Sequence, residues 1–230
     1  MRYFLYVSLL FLAALVACRP KLYRNLQVQT STEKLHSFSD PEQLKVHFDR
    51  LLYSGQVYGK TPLGKRFHLS GLLFFKQMED GGQRVVFQNQ MGVSFFDFGW
   101  DTAGKFTVYQ VMDQMNKPAL IKTLKKDFEF LLYRNLKTPA AGLYYNPSGM
   151  DYLKYELEKG FVYYIFDQGN IVQIENADDK RKVVTIDLEQ AKGRNTLAER
   201  IRIKHLRANF SIDLSKIQEE NNTVDDITEE

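Results

Sequence analysis

The sequence is poor in the residues that build most catalytic and metal sites. Its 230 residues include one cysteine and four histidines. One cysteine excludes an internal disulfide framework, and the histidines do not have the spacing of a zinc site. The 31 basic and 28 acidic residues nearly cancel, so no strongly basic surface for nucleic acid is expected. The chain also has neither a nucleophile elbow nor a complete phosphate-binding loop. We therefore predict a protein that is not an enzyme, uses no cofactor or metal and binds no nucleic acid.

A long hydrophobic run is also missing, although a shorter one opens the chain. Residues 3–17 are apolar except for Ser8, and they follow Arg2. A membrane-spanning helix needs about 20 apolar residues. A charged start, a short apolar run and a small final residue are instead the layout of a secretory signal. We therefore predict a signal peptide at residues 1–17.

The only cysteine follows this signal directly. Leu15-Val16-Ala17-Cys18 resembles the lipobox of bacterial lipoproteins, in which the cysteine is acylated and becomes the first mature residue. The resemblance implies an exported protein whose partner is membrane lipid, held through the acylated cysteine. The absence of an acidic pair after the cysteine favours the outer membrane, with the protein facing the periplasm. Residues 18–39 are polar and weakly patterned, and we interpret them as a lipidated tether.

The rest of the chain is predicted to form one domain at residues 40–217. Its length suits a single β-sandwich or barrel. Residues 218–230 contain six acidic and no basic residues, which is typical of a disordered tail.

Two amphipathic helices are predicted in the domain. The first starts with Asp40 as its N-cap and Pro41 in the first turn. Its apolar stripe would consist of Leu44, Phe48, Leu51 and Leu52. The second runs from Pro118 to about Arg134, because apolar residues recur there at a spacing of 3.6.

About eleven β-strands are predicted around these helices. Residues 53–60 form one strand, and residues 65–110 form four strands joined by short glycine-containing turns. Connections this short join antiparallel neighbours. Six further strands are expected within residues 152–214. Strands in this number most easily close or half-close into a barrel. The predicted fold class is mainly β (α+β), a half-open antiparallel β-barrel covered by amphipathic helices.

The four-strand meander is apolar on both faces, and a sheet of that kind is either covered on both sides or lines a cavity. We predict an apolar cavity between the sheet and the helices. Its candidate lining residues are Leu73, Phe75, Val86, Phe95, Phe128, Leu132, Tyr164 and Phe166. The alternation does not fix which face each residue occupies, so a filled core without a cavity stays open as the alternative.

Part of the chain, from Gly55 to Leu132, resembles the LolA and LolB lipoprotein carrier and receptor group and uncharacterised Bacteroidota lipoproteins of that superfamily. The resemblance is carried by strands at residues 55–59 and 67–76, a hairpin with Met91-Gly92 at its tip, and a helix at residues 118–132. It implies an eleven-stranded half-open barrel with an apolar cavity for lipoprotein acyl chains or another lipid. It further implies a role in bringing lipoproteins to the outer membrane, with a periplasmic lipoprotein carrier as a partner.

Met91 is an unusual residue for a turn, where water normally favours polar side chains. Its flexible apolar side chain suits contact with lipid or with a partner. The resemblance implies that this position hands lipoproteins to the membrane. Two alternatives stay open: that Met91 folds back onto the sheet, and that the protein is a structural or assembly lipoprotein that acts through protein partners without a ligand cavity.

Overall fold

The computed structural model describes residues 22–38, 44–61, 64–137, 139–178 and 180–220. The predicted signal peptide, Cys18 and the predicted helix start at Asp40 lie outside these residues. The described elements are β1 (Gln27–Val28), α1 (Thr32–Ser37), β2 (Arg50–Lys60), β3 (Arg66–Gln77), β4 (Gln83–Gln88), β5 (Ser94–Trp100), β6 (Phe106–Val111), a 3₁₀ turn (Asp113–Met115), α2 (Pro118–Leu131), β7 (Gly142–Tyr145), β8 (Asp151–Glu156), β9 (Phe161–Asp167), β10 (Asn170–Ala177), β11 (Lys182–Glu189), β12 (Arg200–His205) and β13 (Phe210–Glu220).

All the described strands belong to one antiparallel sheet. The thirteen strands follow the order β1-β7-β8-β9-β10-β11-β12-β13-β2-β3-β4-β5-β6. The two end strands, β1 and β6, do not pair with each other, so the sheet is not closed. The prediction of a mainly β, half-open barrel with helices is confirmed. The two strands beyond the predicted eleven are β1 and β7, which have two and four residues and are too short to show a clear alternation.

The sheet curves around a core on one face, which we call the concave face; the other is the convex face. Side chains from β2 to β5 and from β8 to β13 join one buried cluster with α2. Successive side chains in a strand point to opposite faces. Every second residue, counted from Tyr53 in β2 and from Leu73 in β3, therefore faces this core.

Helix α2 covers the concave face, as its periodicity predicts. Pro118 opens the helix, where a missing N–H costs nothing. Leu124, Phe128 and Leu131 are buried on one side of it. The Phe128 ring lies 6.0 Å from the ring of Phe75 in β3. The contact fixes the C-terminal part of the helix over β3.

The prediction of a first helix through Leu51 and Leu52 is wrong. Both residues lie in β2, where Leu51 pairs with Phe75 in β3. Leu44 and Phe48 precede the strand and are buried in the same core. Pairing with β3 on one side and β13 on the other satisfies the backbone of β2 along its length. The hydrogen bonds of these two pairings stabilise the strand more than an isolated helix of about two turns would be stabilised.

Residues at both ends of the described chain pack on the sheet. Tyr23, within the predicted tether, lies 4.7 Å from the Tyr163 ring on the convex face, and its hydroxyl donates to Glu175 Oε2 at 2.6 Å. Gln218, predicted to begin the tail, pairs with Leu52 as part of β13. Among the described residues, no helix combines the length and apolar character needed to cross a membrane.

Candidate functional site

Seven of the eight predicted lining residues are buried in the core cluster: Leu73, Phe75, Phe95, Phe128, Leu132, Tyr164 and Phe166. Val86 is the exception. It alternates with the buried Val85 and Phe87 and pairs with Asp97, so it faces the convex side. The prediction for Val86 is wrong because the strand is apolar on both faces, and the sequence does not show which one is covered.

These seven side chains pack closely against one another and their neighbours. The Phe128 ring lies 5.7 Å from Phe96, and the Phe166 ring lies 4.9 Å from Phe38. Phe96 is the register partner of Phe87, and an irregularity just after this pair leaves Phe95 without a register partner, with its ring 4.9 Å from Phe87. Open space is therefore found at the edge of this core, beside the end of α2.

A cavity of about 620 Å³ lies where α2 ends; we call it the seam cavity. It is bounded by the segment after α2, the turns β3–β4 and β5–β6, and the residues before β2. Its lining residues are Lys45, Val46, His47, Gln77, Gly81, Gln83, Thr102, Ala103, Gly104, Leu132, Tyr133, Arg134, Asn135, Leu136 and Tyr155. Leu132 is the predicted residue that lines it.

Tyr133 is the unusual residue of the seam cavity. It has a φ of 52°, a left-handed conformation that turns the chain just after α2. Its ring stacks on Tyr164 at 4.0 Å. Its hydroxyl is buried and, in the described part of the chain, has no hydrogen-bond partner. Burial raises the pKa of Tyr133 well above its usual value. A buried hydroxyl without a partner is a donor available to a ligand oxygen that enters the cavity.

The two tyrosines beside Tyr133 differ in their partners. The Tyr164 hydroxyl donates to the Phe130 carbonyl at 2.9 Å, which ties the sheet to the last turn of α2. Tyr155 lines the cavity and belongs to the buried core, and burial raises the pKa of Tyr155 to about 12. All three phenols are therefore neutral at physiological pH. The inner wall is aromatic and uncharged.

The mouth of the seam cavity is polar and cross-linked. Arg134 donates to the Gln83 side chain at 2.5 Å and to the Asp101 carbonyl at 3.0 Å. Burial lowers the pKa of Arg134, whereas the negative charges of Asp101 and Glu129 raise it by a smaller amount. Asn135 donates to Glu129 at 2.6 Å and to the Gly104 carbonyl at 3.1 Å. These bonds hold the segment after α2 against the two turns, so the mouth keeps its shape.

The structure places Met91 at the tip of the β4–β5 turn, where the residue is 88% exposed. The Asn89 side chain accepts hydrogen bonds from the N–H groups of Met91 and Val93, each at 2.9 Å. Gly92 has a φ of 81°, which glycine adopts without strain. A well-bonded turn therefore presents an apolar tip, and Met91 does not fold back onto the sheet. Its role in membrane transfer stays a prediction.

Acylation of Cys18 also stays a prediction, because that residue lies outside the described ranges. Within those ranges, no group of three or more histidine, cysteine, aspartate or glutamate side chains could hold a metal ion. Sequence reasoning missed the seam cavity and Tyr133, since the cavity is formed by short loops that are far apart in the chain.

No family model and no curated protein matches the chain. It is similar to a structure assigned as an outer membrane lipoprotein-sorting protein domain from Vibrio parahaemolyticus, at 9% identity and a TM-score of 0.48, over 84% of this chain and 94% of that one. A LolA superfamily protein from Nitrosomonas europaea is similar at 9% identity and a TM-score of 0.46, over 84% and 94%. A DUF1329 family protein from Desulfovibrio piger has 9% identity and a TM-score of 0.42, over 80% and 89%.

Proposed function

We propose that the protein is an envelope lipoprotein, anchored in the outer membrane by acylated Cys18, that binds an acyl chain of a lipid or lipoprotein and serves lipoprotein localisation. The observation that carries this proposal is the seam cavity. Its volume of about 620 Å³ falls within the ~300–1,000 Å³ typical of ligand sites. Leu132 and Tyr155 belong both to its wall and to the core, so a ligand there would contact the interior of the half-barrel.

The chemistry of the cavity suits an acyl ester or amide. The chain would pack on Leu132 and on the rings of Tyr133 and Tyr155, where each buried CH₂ contributes about 0.8 kcal/mol. The carbonyl would accept from the Tyr133 hydroxyl, which has no hydrogen-bond partner among the described residues. A long chain would extend between α2 and the sheet, and this requires Phe128 to separate from Phe75 and Phe96. The polar mouth would hold the head group.

Replacing Tyr133 with phenylalanine tests this proposal. The change removes a buried oxygen that no described residue contacts through a hydrogen bond, so the free energy of unfolding should rise slightly or stay the same. Acyl-chain affinity should fall about fivefold, because one hydrogen bond contributes about 1 kcal/mol. The measurement is a titration of a fluorescent fatty-acid ester into the mature chain carrying Cys18→Ser, with chemical denaturation alongside.

Tyr109→Phe is the matched control, since it removes the same atom from an exposed side chain on β6. This control variant should change neither the acyl-chain affinity nor the free energy of unfolding. The proposal fails if the wild type gives no saturable signal. Equal affinities for the wild type and Tyr133→Phe would show that the Tyr133 hydroxyl does not bind the ligand.

We further propose that Met91 hands the bound lipoprotein to the membrane. Met91→Glu should leave folding and ester binding unchanged, because an exposed turn tip contributes little to stability. Transfer of a bound lipoprotein to vesicles should fall at least several-fold, since a charge opposes insertion into the bilayer. Gln90→Glu adds the same charge one residue earlier and keeps the apolar tip, so it should transfer nearly normally. Equal transfer by both variants would refute a role for Met91.

A second candidate function is an assembly lipoprotein that acts through protein partners without binding lipid. Two observations favour it. The predicted lining residues are packed against one another, and β6 is an edge strand with exposed Val108 and Tyr109. An edge strand with free backbone groups can pair with another chain. This function predicts that the titration shows no saturable binding.

A further inference from the structure

A second, more open cavity of about 720 Å³ lies at the end of the sheet where β2 ends and β3 begins. We call it the basic groove. Its lining residues are Tyr58, Gly59, Lys60, Arg66, Phe67, His68, Arg202, Lys204, His205, Asn209, Phe210, Ser211 and Asp213. They come from β2, β3, β12, β13 and the adjoining turn. The groove shares no lining residue with the seam cavity.

One side of the groove is a flat aromatic surface on the convex face. Tyr58 pairs with His68 in β3 and with Ser211 in β13. The rings of Tyr58 and His68 stack at 4.6 Å and 5°. His68 Nε2 also lies 2.6 Å from the Gln56 side-chain oxygen, which fixes the orientation of the imidazole. The surface is therefore ordered although both residues are exposed.

The groove carries excess positive charge. Lys60 and Arg66 are register partners at its rim, and within the described ranges neither has a carboxylate close enough for an ion pair. Asp213, the only carboxylate among the lining residues, is held by Arg202 at 2.7 Å. Lys204 lies 3.4 Å from a carboxylate outside the groove. Lysine and arginine without partners at an exposed rim attract phosphate groups.

Exposed apolar side chains lie at the same end of the sheet. Phe67 is 38% exposed, and its ring lies across β2 over Gly59, where a Cβ would come within 2.4 Å of it. Leu206 in the β12–β13 turn is 52% exposed. The β4–β5 turn with Met91 and Val93 is at this end as well, because β4 runs antiparallel to β3. Cations interspersed with apolar tips are the composition of a surface that lies in a membrane interface.

The anchored end of the chain reaches the same side. Tyr23 packs 5.8 Å from Phe161, the first residue of β9. Phe161 pairs with the last residue of β10, which pairs with the first residue of β11. Further across the sheet, the end of β12, the start of β13 and the end of β2 lie on the same side. Phe161 is therefore at the end of the sheet that carries the basic groove. Cys18 is five residues before Tyr23 in the sequence, and five residues span at most about 18 Å at ~3.6 Å per residue. An acyl chain on Cys18 would therefore enter a membrane close to this end of the sheet.

We propose that the basic groove and the neighbouring apolar tips form a docking surface for an anionic phospholipid bilayer, the membrane that holds the anchor. The inference rests on the proposed membrane anchoring but does not require the seam cavity to bind an acyl chain. Phospholipid phosphates contact Lys60 and Arg66, while Phe67, Leu206 and Met91 reach the acyl boundary. The seam cavity then lies at the other end of the sheet, facing the periplasm.

Vesicle binding by the mature chain from residue 18, carrying Cys18→Ser, tests the docking surface. This chain contains every strand and helix that the structure describes. At low salt it should bind vesicles that contain phosphatidylglycerol and should bind phosphatidylcholine vesicles much more weakly. The double variant Lys60→Glu/Arg66→Glu should bind the anionic vesicles at least about tenfold more weakly, because each basic side chain near the surface adds to the attraction.

The control variant Lys105→Glu/Lys137→Glu makes the same charge change at the opposite end of the sheet, where both lysines are exposed. It should bind within about twofold of the wild type, and all three proteins should have the same melting temperature. Equal binding to both kinds of vesicle, no binding to either, or equal losses in the two double variants would overturn the proposal. Ester titration of the same proteins keeps the two proposals apart, since Lys60→Glu/Arg66→Glu should leave acyl binding unchanged.

Discussion

Replacing Asp127 with alanine is expected to lower the free energy of unfolding by about 3–5 kcal/mol, because it leaves a buried polar group without its partner. Asp127 lies on α2 and is 1% exposed, and its Oδ2 is 2.8 Å from Nε2 of His205 at the end of β12. The His205 ring stacks on Phe210 at 3.9 Å. The pair thus fastens the helix to the far side of the curved sheet. Urea denaturation of wild type and variant measures the loss.

Lys125→Ala is the control on the same helix. Lys125 forms an ion pair with Glu129 at 3.5 Å, and its side chain is partly exposed, so its removal should cost less than about 1 kcal/mol. Losses of similar size in the two variants would show that the Asp127 pair does not hold the helix.

The same aspartate predicts a pH dependence. Burial is the largest influence on the Asp127 carboxyl and raises its pKa, against the opposing effects of His205 and Lys126. The raised pKa means that the folded protein binds this proton more tightly than the unfolded chain does. The stability that this proton contributes is therefore fully present below about pH 4, the pKa of an aspartate in the unfolded chain. It is lost as the pH rises through the pKa of Asp127 in the folded protein. Asp127→Asn should remove this part of the pH slope.

Phe128→Ala is expected to cost about 3–5 kcal/mol of folding free energy, the range for truncating a buried aromatic ring. Phe128 is 1% exposed and lies between the rings of Phe75 and Phe96. The variant also creates space between α2 and the sheet, next to the seam cavity. If acyl chains extend along this path, the variant should bind the fluorescent ester at least as tightly as the wild type despite its lower stability.

Leu206→Ala, at an exposed position, should change stability by less than about 0.5 kcal/mol. A loss of ester binding in folded Phe128→Ala, measured well below its melting temperature, would show that the chain does not pass this residue. A stability loss no larger than that of Leu206→Ala would contradict the packing of α2 on the sheet.

Local patterns were enough to predict much of the fold. Strand β9, Phe161–Asp167, is one of the six strands predicted within residues 152–214, and a glycine before it and a turn after it mark its ends. Helix α2 was predicted from its 3.6-residue spacing and Pro118. In both elements the apolar pattern agrees with the tertiary contacts, so propensity and packing favour the same structure.

The errors occur where distant pairing decides the structure. Strand β1 forms only because Gln27 and Val28 meet Tyr144 and Tyr145, more than a hundred residues later. The face of Val86 depends on which side of the sheet α2 covers. A strand that is apolar on both faces contains no information on that choice.

The candidate sites show the same difference between local patterns and contacts that are distant in sequence. Met91 could be identified from sequence because an apolar residue at a turn tip is a local anomaly. The hydroxyl of Tyr133 could not, because its lack of a partner depends on the burial created by α2, β8 and β9. The basic groove combines Lys60 and Arg66 with strands 140 residues later. Only the sheet order brings these residues together.

Native mass spectrometry of the mature chain with Cys18→Ser, purified from the periplasm, tests the central claim most directly. We predict a complex heavier than the bare chain by the mass of one lipid or acyl-bearing molecule, released when the complex is activated in the gas phase. The bound fraction should fall in Tyr133→Phe and stay unchanged in Tyr109→Phe. A spectrum of bare chain alone for the wild type, together with no uptake of added lipid, would contradict the account.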